Sequence, residues 1–401
     1  MERKLTEIVT WNGIIDWDLK SFHGEEYSTW SGSTYNAYVV KGKEKTALID
    51  TVWMPYADQF IEELEKSVGL DNIDLIVANH GEVDHSGALP ALLEKRPDLP
   101  VYCTANAVKS LKGQYHRDWN FQVVKTGDTV ELGDGRTLTF VEIPMLHWPD
   151  SMMTYLSGEN ILFSNDAFGQ HYATHSLVND DAEPDLLMAE AIKYYANILT
   201  PFSPLVTKKI RELLSLNLPI DIIAPSHGVI WRENPTWIVE RYLEWADDYQ
   251  EDQILMVYDT MWEGTRKSAE AVAEGIREAS PSTRVKLMNC GKVDKNDIVT
   301  EIFRSKAVLV GSPTINKGIL HSVAGLLEQV AGLRFRKKKA AAFGCYGWSG
   351  EAPGLIDKHL KDGGFEMFGE QLKVLWNPDN ETIEAARGFG RKFAGFAGRE
   401  A

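Results

Sequence analysis

Leu75-Ile76-Val77-Ala78-Asn79-His80-Gly81-Glu82-Val83-Asp84-His85 is the stretch that decides the fold of the first half of this chain. Its apolar opening has the length and composition of a buried strand. Four candidate metal ligands, His80, Glu82, Asp84 and His85, then fall within six residues. A strand ending in a short ligand-bearing loop holds a metal at the rim of a rigid sheet. Imidazoles alone leave the identity of the metal open. The carboxylate of Glu82, added to that of Asp84, moves the preference toward a harder ion such as iron or manganese.

Further ligand candidates lie downstream, each beside a strand-like segment: His147 in Met145-Leu146-His147-Trp148-Pro149-Asp150, Asp166 in Ser164-Asn165-Asp166, and His227 in Pro225-Ser226-His227-Gly228. Asp150 reads as a partner of a ligand rather than a ligand. Strand patterns at 7–10, 37–40, 46–49, 137–143, 153–156, 161–163 and 221–224 surround them. Helical patterns stand at 55–68, from 87, and across 185–215, and one bearing Trp237 and Trp245 closes this half.

After Gln250 the pattern changes to regular alternation. Strands are expected at 254–258, 284–288, 307–310, 340–343 and 372–376, each followed by a helix, near 266–279, 294–304, 319–331, 353–361 and 380–394. Five β/α repeats predict a doubly wound five-stranded parallel sheet. The domain boundary is set near Gln250, giving domains 1–250 and 251–401. Three loops at the expected C-terminal edge of that sheet are rich in hydroxyls, glycines and aromatic rings. They are Tyr258-Asp259-Thr260-Met261-Trp262-Glu263-Gly264-Thr265, Gly311-Ser312-Pro313-Thr314-Ile315-Asn316-Lys317-Gly318 and Gly344-Cys345-Tyr346-Gly347-Trp348-Ser349-Gly350. The first is neither a Walker loop nor a dinucleotide fingerprint. A hydroxyl-rich cradle without lysine suits a monophosphate such as that of FMN. The candidate contacts are Thr260–Thr265, Ser312–Asn316 and Cys345–Gly350, with Tyr346 and Trp348 offering faces for a flavin ring.

Bulk properties narrow the classes. The formal charge is −16. Residues 1–250 hold 20 Lys and Arg against 38 Asp and Glu, and residues 251–401 hold 22 against 20. So acidic a first half argues against a nucleic-acid partner. The 44% hydrophobic content contains no apolar run of membrane-spanning length. The opening Met1-Glu2-Arg3-Lys4 leads into no signal-peptide segment, so a cytoplasmic protein is expected. Cys103, Cys290 and Cys345 are far apart, which excludes a disulfide framework and a four-cysteine iron site.

The ligand order and spacing from His80 to His227, followed by the three loops, resemble the flavodiiron proteins, also called A-type flavoproteins or rubredoxin:oxygen oxidoreductases. The resemblance spans essentially the whole chain. It implies a metallo-β-lactamase-like αββα sandwich followed by a flavodoxin-like domain. It further implies two non-haem irons, oxo- or hydroxo-bridged: His80, Glu82 and His147 on one, Asp84 and His227 on the other, Asp166 between them. The position of His85 ligates in some members and is turned away in others. His23, His171 and Tyr195 match positions that line the substrate pocket, where they would donate hydrogen bonds or protons. Electrons from an external donor, rubredoxin or else a reduced deazaflavin coenzyme, would pass through FMN to the irons and reduce dioxygen to water or nitric oxide to nitrous oxide. A head-to-tail homodimer, or a dimer of dimers, is implied as well. The basic run Arg334-Phe335-Arg336-Lys337-Lys338-Lys339 is a candidate docking face for an acidic donor, with a solvated strand entry as the plain alternative. A zinc hydrolase carrying a flavodoxin passenger is the alternative function, disfavoured by Glu82 and by the flavin loops. An electron carrier with a purely structural metal is disfavoured by the number of ligands.

Overall fold

The computed structural model describes residues 3–399. Met1 and Glu2, on which the reading of the N-terminus partly rests, lie outside them, as do Glu400 and Ala401. Two compact units are present. The first gathers the residues up to Tyr195 together with Phe202–Ala246; the second gathers Ala196–Pro201 and the residues from Asp247 on.

The first unit is built on two sheets. One has seven strands in the order Arg3–Lys4, Val9–Trp11, Tyr38–Lys41, Thr46–Ile49, Leu75–Val77, Val101–Cys103, Phe121–Val123. The other has five, Thr129–Gly133, Arg136–Glu142, Met152–Leu156, Ile161–Asn165 and Ile222–Pro225. Alternation of side chains along the strands sorts the core into layers. Val39, Leu48 and Ile76 face the helices Ala57–Ser67, Leu89–Lys95 and Ala105–Tyr115, meeting Phe60, Leu64, Leu92 and Leu111. Tyr38, Val40, Ile49, Leu75 and Val77 point the other way, onto Leu138, Phe140, Leu156 and Phe163 of the second sheet. This is the expected sandwich, and all its ligand-bearing loops leave the C-terminal ends of strands.

The second unit is a five-stranded parallel sheet. Its order, Arg284–Asn289, Glu251–Tyr258, Ser305–Gly311, Lys339–Tyr346, Glu366–Leu375, is the 2-1-3-4-5 arrangement of a doubly wound fold. The loops after the first, third and fourth strands in sequence therefore meet at one edge.

Only Arg334, Arg336 and Lys337 of the basic run are exposed and open to docking; its last two lysines turn inward. Lys338 and Lys339 are both 3% exposed. Lys338 Nζ donates to the carbonyl oxygens of Tyr249, Phe303 and Ser305 at 3.0, 2.7 and 2.7 Å, and Lys339 Nζ donates to those of Phe396 and Arg399. Three carbonyls converging on one ammonium recruited the lysine inward. Lys338→Met keeps the apolar stem and removes the donors. The variant is expected to lose about 3 kcal/mol of unfolding free energy, read as a lower urea midpoint. An unchanged midpoint would mean that the ammonium contributes nothing there.

Candidate functional site

The six-residue ligand motif leaves its strand as a tight loop and turns into the short helix Val83–Ser86. Its conformation is held from behind. The Asp50 carboxylate accepts from the backbone and side-chain nitrogens of Asn79 at 2.7 and 2.9 Å, and Thr154 Oγ1 donates to Asn79 Oδ1 at 2.7 Å. The Thr51 hydroxyl donates to the carbonyl of His85 at 2.7 Å. These bonds aim four side chains at a single buried place.

Two groups of ligand atoms meet there. In the first, Glu82 Oε2 lies 3.2 Å from His80 Nε2 and 3.4 Å from His147 Nε2, while Asp166 Oδ2 lies 3.6 and 3.5 Å from the same two nitrogens. In the second, Asp84 Oδ2 lies 3.1 Å from His85 Nε2 and 2.9 Å from His227 Nε2, and Asp166 Oδ1 lies 3.1 and 3.5 Å from them. The two oxygens of Asp166 are thus divided between the groups. Ligands bound at about 2.1 Å from a common ion stand about 3.0–3.4 Å apart, and the separations found, 2.9–3.6 Å, bracket that spacing. Both Asp166 oxygens are buried with no hydrogen-bond partner among the described residues, although imidazole nitrogens stand 3.1–3.6 Å from them. Lone pairs that converge without forming hydrogen bonds fit a shared cation. His85, left open by the sequence, stands in the second group.

Electrostatics agree. Burial opposes the charged form of His85, but Asp166 and Asp84 outweigh it and raise the imidazole to about 9. His147 likewise reaches about 9, burial being overcome by Asp166 and Glu82. Asp166 itself is held far below the usual carboxylate range although buried, chiefly by His85 and His147. Protons on imidazoles stand where metal charge would otherwise balance the carboxylates.

The surrounding shell is partly as expected. His23 Nε2 is 2.9 Å from Glu82 Oε1, the oxygen that faces away from His80 and His147. His80 Nδ1 is 2.8 Å from Asp150 Oδ1, which orients the ring from behind. His171 is buried, its Nδ1 2.7 Å from Ser33 Oγ, and Nε2 has no partner among the described residues. Burial, with His227 and His23 nearby, keeps it neutral. Tyr195 departs from expectation. Its hydroxyl lies 3.0 Å from Ser203 Oγ and its ring packs on Tyr242 and Trp245, whereas Tyr194 lies 5.3 Å from the His171 ring and 6.5 Å from that of His227, centroid to centroid. A π-helical turn over Tyr195–Leu199 begins at this point, a rotation that simple helical spacing does not reveal. Gly228 follows His227 at φ +75°, and a Cβ there would stand 2.3 Å from the Gln170 carbonyl oxygen. Only glycine fits.

The second unit carries a cleft of about 680 Å³ at the edge where its loops meet. Of the expected contacts, Thr260, Met261, Trp262, Gly264, Thr265, Pro313, Thr314, Asn316, Cys345, Tyr346, Gly347, Trp348 and Ser349 line it. Glu263, Ser312, Ile315 and Gly350 do not. Glu263 pairs with Arg266, Ser312 Oγ accepts from the Leu320 amide, and Gly350 lies against the Tyr346 ring. Lys317, Trp376 and Asn377 join the lining unforeseen; the last two follow the fifth strand, whose loop carried no glycine or hydroxyl signal. Thr260 Oγ1 and Thr265 Oγ1 are buried without partners among the described residues, beside the N-terminus of the helix Gly264–Ala279. That is a cradle for an anion. Trp348 and Trp376, with centroids 6.3 Å apart, add aromatic wall to the cleft, and a Cβ on Gly347 would stand 2.8 Å from the Trp376 ring. A phosphate-bearing planar aromatic group such as FMN fits these walls.

Comparison with known proteins accounts for both halves. Residues 34–228 match the family described as ODP family beta lactamase, and residues 256–390 match the flavodoxin family. An anaerobic nitric oxide reductase flavorubredoxin of Escherichia coli O1:K1 is 54% identical over 387 residues, 96% of this chain and 80% of that protein. One from Klebsiella pneumoniae is 53% identical over the same length. Among solved structures, a rubredoxin oxygen:oxidoreductase from Desulfovibrio gigas is 37% identical, with a TM-score of 0.95 over 99% of this chain and 98% of that one. A flavodiiron protein from Giardia intestinalis is 32% identical, with a TM-score of 0.93 over 99% and 97%.

Proposed function

Because this chain belongs to the flavodiiron protein family, we propose that it is an oxidoreductase reducing nitric oxide in preference to dioxygen. The observation that carries the chemistry is the division of Asp166 between two buried ligand groups. His80, Glu82, His147 and Asp166 would hold one iron, and Asp84, His85, His227 and Asp166 the other. The cleft lined by Thr260, Thr265, Tyr346 and Trp348 would hold FMN. Bound iron and FMN supply the electron chemistry, two electrons and two protons converting two nitric oxides to nitrous oxide and water. The hydrolase alternative is not favoured: the ligand set is carboxylate-rich, and a flavin cleft accompanies it.

The chain's own side chains supply order and protons. His23 holds the outer oxygen of Glu82, fixing which oxygen turns inward. Asp150 fixes the His80 ring in the same manner. The hydrogen bond between Ser33 Oγ and Nδ1 fixes the His171 ring, which stays neutral and leaves Nε2 as the atom through which a proton exchanges with the pocket. Tyr194, its phenol pushed well above its ordinary value by burial and by Asp166, stays protonated and is a second donor.

The preference for nitric oxide is supported by identity: relatives at 53–54% are named nitric oxide reductases, while the rubredoxin oxygen:oxidoreductase stands at 37%. Rubredoxin is the proposed electron donor. A homodimer is proposed too, since Trp262 and Trp348, both 89% exposed, rim the cleft and call for cover. No helix among the described residues is long and apolar enough to cross a membrane, and the proposed place of action is the cytoplasm. With a constant supply of reduced rubredoxin, kcat/KM for nitric oxide, followed as nitrous oxide, is expected to exceed that for dioxygen. The reverse order would make oxygen the substrate.

A further inference from the structure

We propose that Tyr35, Tyr56 and Trp53 form an outlet through which an oxidising equivalent stranded at the metal centre leaves for the surface, where a thiol quenches it. The proposal rests on the reading above that the centre also reduces dioxygen. A shortage of donor electrons partway through such a reduction would leave a strong oxidant inside a pocket walled by histidine and tyrosine.

The route is continuous. The Tyr35 ring stands edge-on to that of His227, centroids 6.0 Å apart. It lies 5.9 Å from the Trp53 ring and 5.7 Å from the Tyr56 ring, and those two are 6.3 Å from each other. All are contact distances for aromatic side chains. Tyr35 is 1% exposed, whereas Trp53 and Tyr56 are partly exposed, and Met54 between them is 66% exposed. Oxidisable rings thus run from a ligand to solvent in two contacts. The buried carboxylate of Asp16, on the strand Ile14–Asp16 that pairs with Ser33–Tyr35, is the acceptor proposed for the phenols of Tyr35 and Tyr56, and Tyr35 Oη has no hydrogen-bond partner among the described residues. Tyr194 and Tyr27, also near the cluster, are themselves buried at 2% and 3%.

The steps balance. Tyr35 gives one electron to the centre and its phenolic proton to Asp16. Tyr56 then gives Tyr35 an electron, Tyr35 recovers the proton from Asp16, and Asp16 takes the proton of Tyr56. A solvent thiol donates a hydrogen atom to the Tyr56 radical and is left as a thiyl radical, while Asp16 releases its proton to water. One thiol has been oxidised by one electron and one proton set free. Trp53 offers the parallel branch, and Met54 a sink in which two successive equivalents and the oxygen of one water give a sulfoxide, with two protons released to solvent.

The test uses iron- and FMN-loaded protein, partly reduced, mixed with excess dioxygen and frozen, with tyrosine supplied ring-deuterated in a parallel sample. A radical signal that narrows on deuteration is expected, absent from Tyr35→Phe. Peptide mapping after repeated cycles should find oxygen added at Trp53, Met54 and Tyr56 in the unsubstituted protein, and in Tyr35→Phe at residues around the cluster instead. The double variant Trp53→Phe, Tyr56→Phe should keep the Tyr35 signal but lose its rapid quenching by glutathione. Oxygen consumption without a tyrosyl signal, or one oxidation map for all variants, would overturn the outlet and leave the function standing. A sample that consumed no oxygen would overturn the outlet too, and leave nitric oxide reduction to its own test.

Discussion

Asp166→Ala protein is expected to lose both metal ions, with affinity for each falling at least 100-fold. A single carboxylate reaches both groups, Oδ2 toward His80 and His147 and Oδ1 toward His85 and His227. Removing it takes one anionic ligand from each ion. Replacing even an outer partner of a ligand typically costs about 10–100-fold, and the loss of a ligand shared by both ions exceeds that. It also leaves the imidazoles crowded in a buried place with less negative charge to balance them. Metal content after gel filtration, together with titration of the apoprotein, measures the effect. Loss of one ion with the other held at full affinity would mean that Asp166 serves a single site.

The second large effect belongs to the flavin cleft. Thr260→Val with Thr265→Val removes two buried hydroxyls while keeping side-chain shape. Each forfeits a hydrogen bond to a charged group, worth about 1.5–3 kcal/mol, so FMN affinity should fall by roughly 100-fold to 10,000-fold. Riboflavin, which has no phosphate, is the control, and its binding should barely change. Flavin fluorescence quenching reads both. An equal loss for the two flavins would show that the hydroxyls shape the ring site rather than the phosphate cradle.

Much of this arrangement is legible in the sequence, and the reason is density of signal. His80, Glu82, Asp84 and His85 crowd into six residues, and a strand-end loop is among the few places where such crowding is stable. The parallel sheet of the second unit is readable because its three inner strands, Glu251–Tyr258, Ser305–Gly311 and Lys339–Tyr346, carry near-continuous apolar runs buried on both faces. The edge strands Arg284–Asn289 and Glu366–Leu375 are half-exposed and are legible mainly from their place in the β/α alternation. The short elements are not. Val101–Cys103 and Phe121–Val123 have three residues each, too few for a period to register. The two-residue strands Ser21–Phe22 and Tyr27–Ser28, whose turn carries His23 at φ +54°, are shorter still. The resemblance to the family points to Tyr195, whereas the structure sets Tyr194 beside the His171 ring; the two are adjacent in sequence, and a π turn begins at Tyr195. Lys338 and Lys339 read as surface charge because a run of lysines usually is. Carbonyl groups supplied from Tyr249, Phe303, Ser305, Phe396 and Arg399, distant in sequence, made the interior hospitable.

The most direct test of the account is Mössbauer spectroscopy of oxidised protein loaded with isotopically enriched iron. Two irons per chain sharing the Asp166 carboxylate should appear as a magnetically coupled pair with a diamagnetic ground state, and the same sample should show no electron paramagnetic resonance from isolated ferric ions. A spectrum in which the iron is accounted for by uncoupled, paramagnetic ferric sites would contradict the shared centre and the gas chemistry built on it.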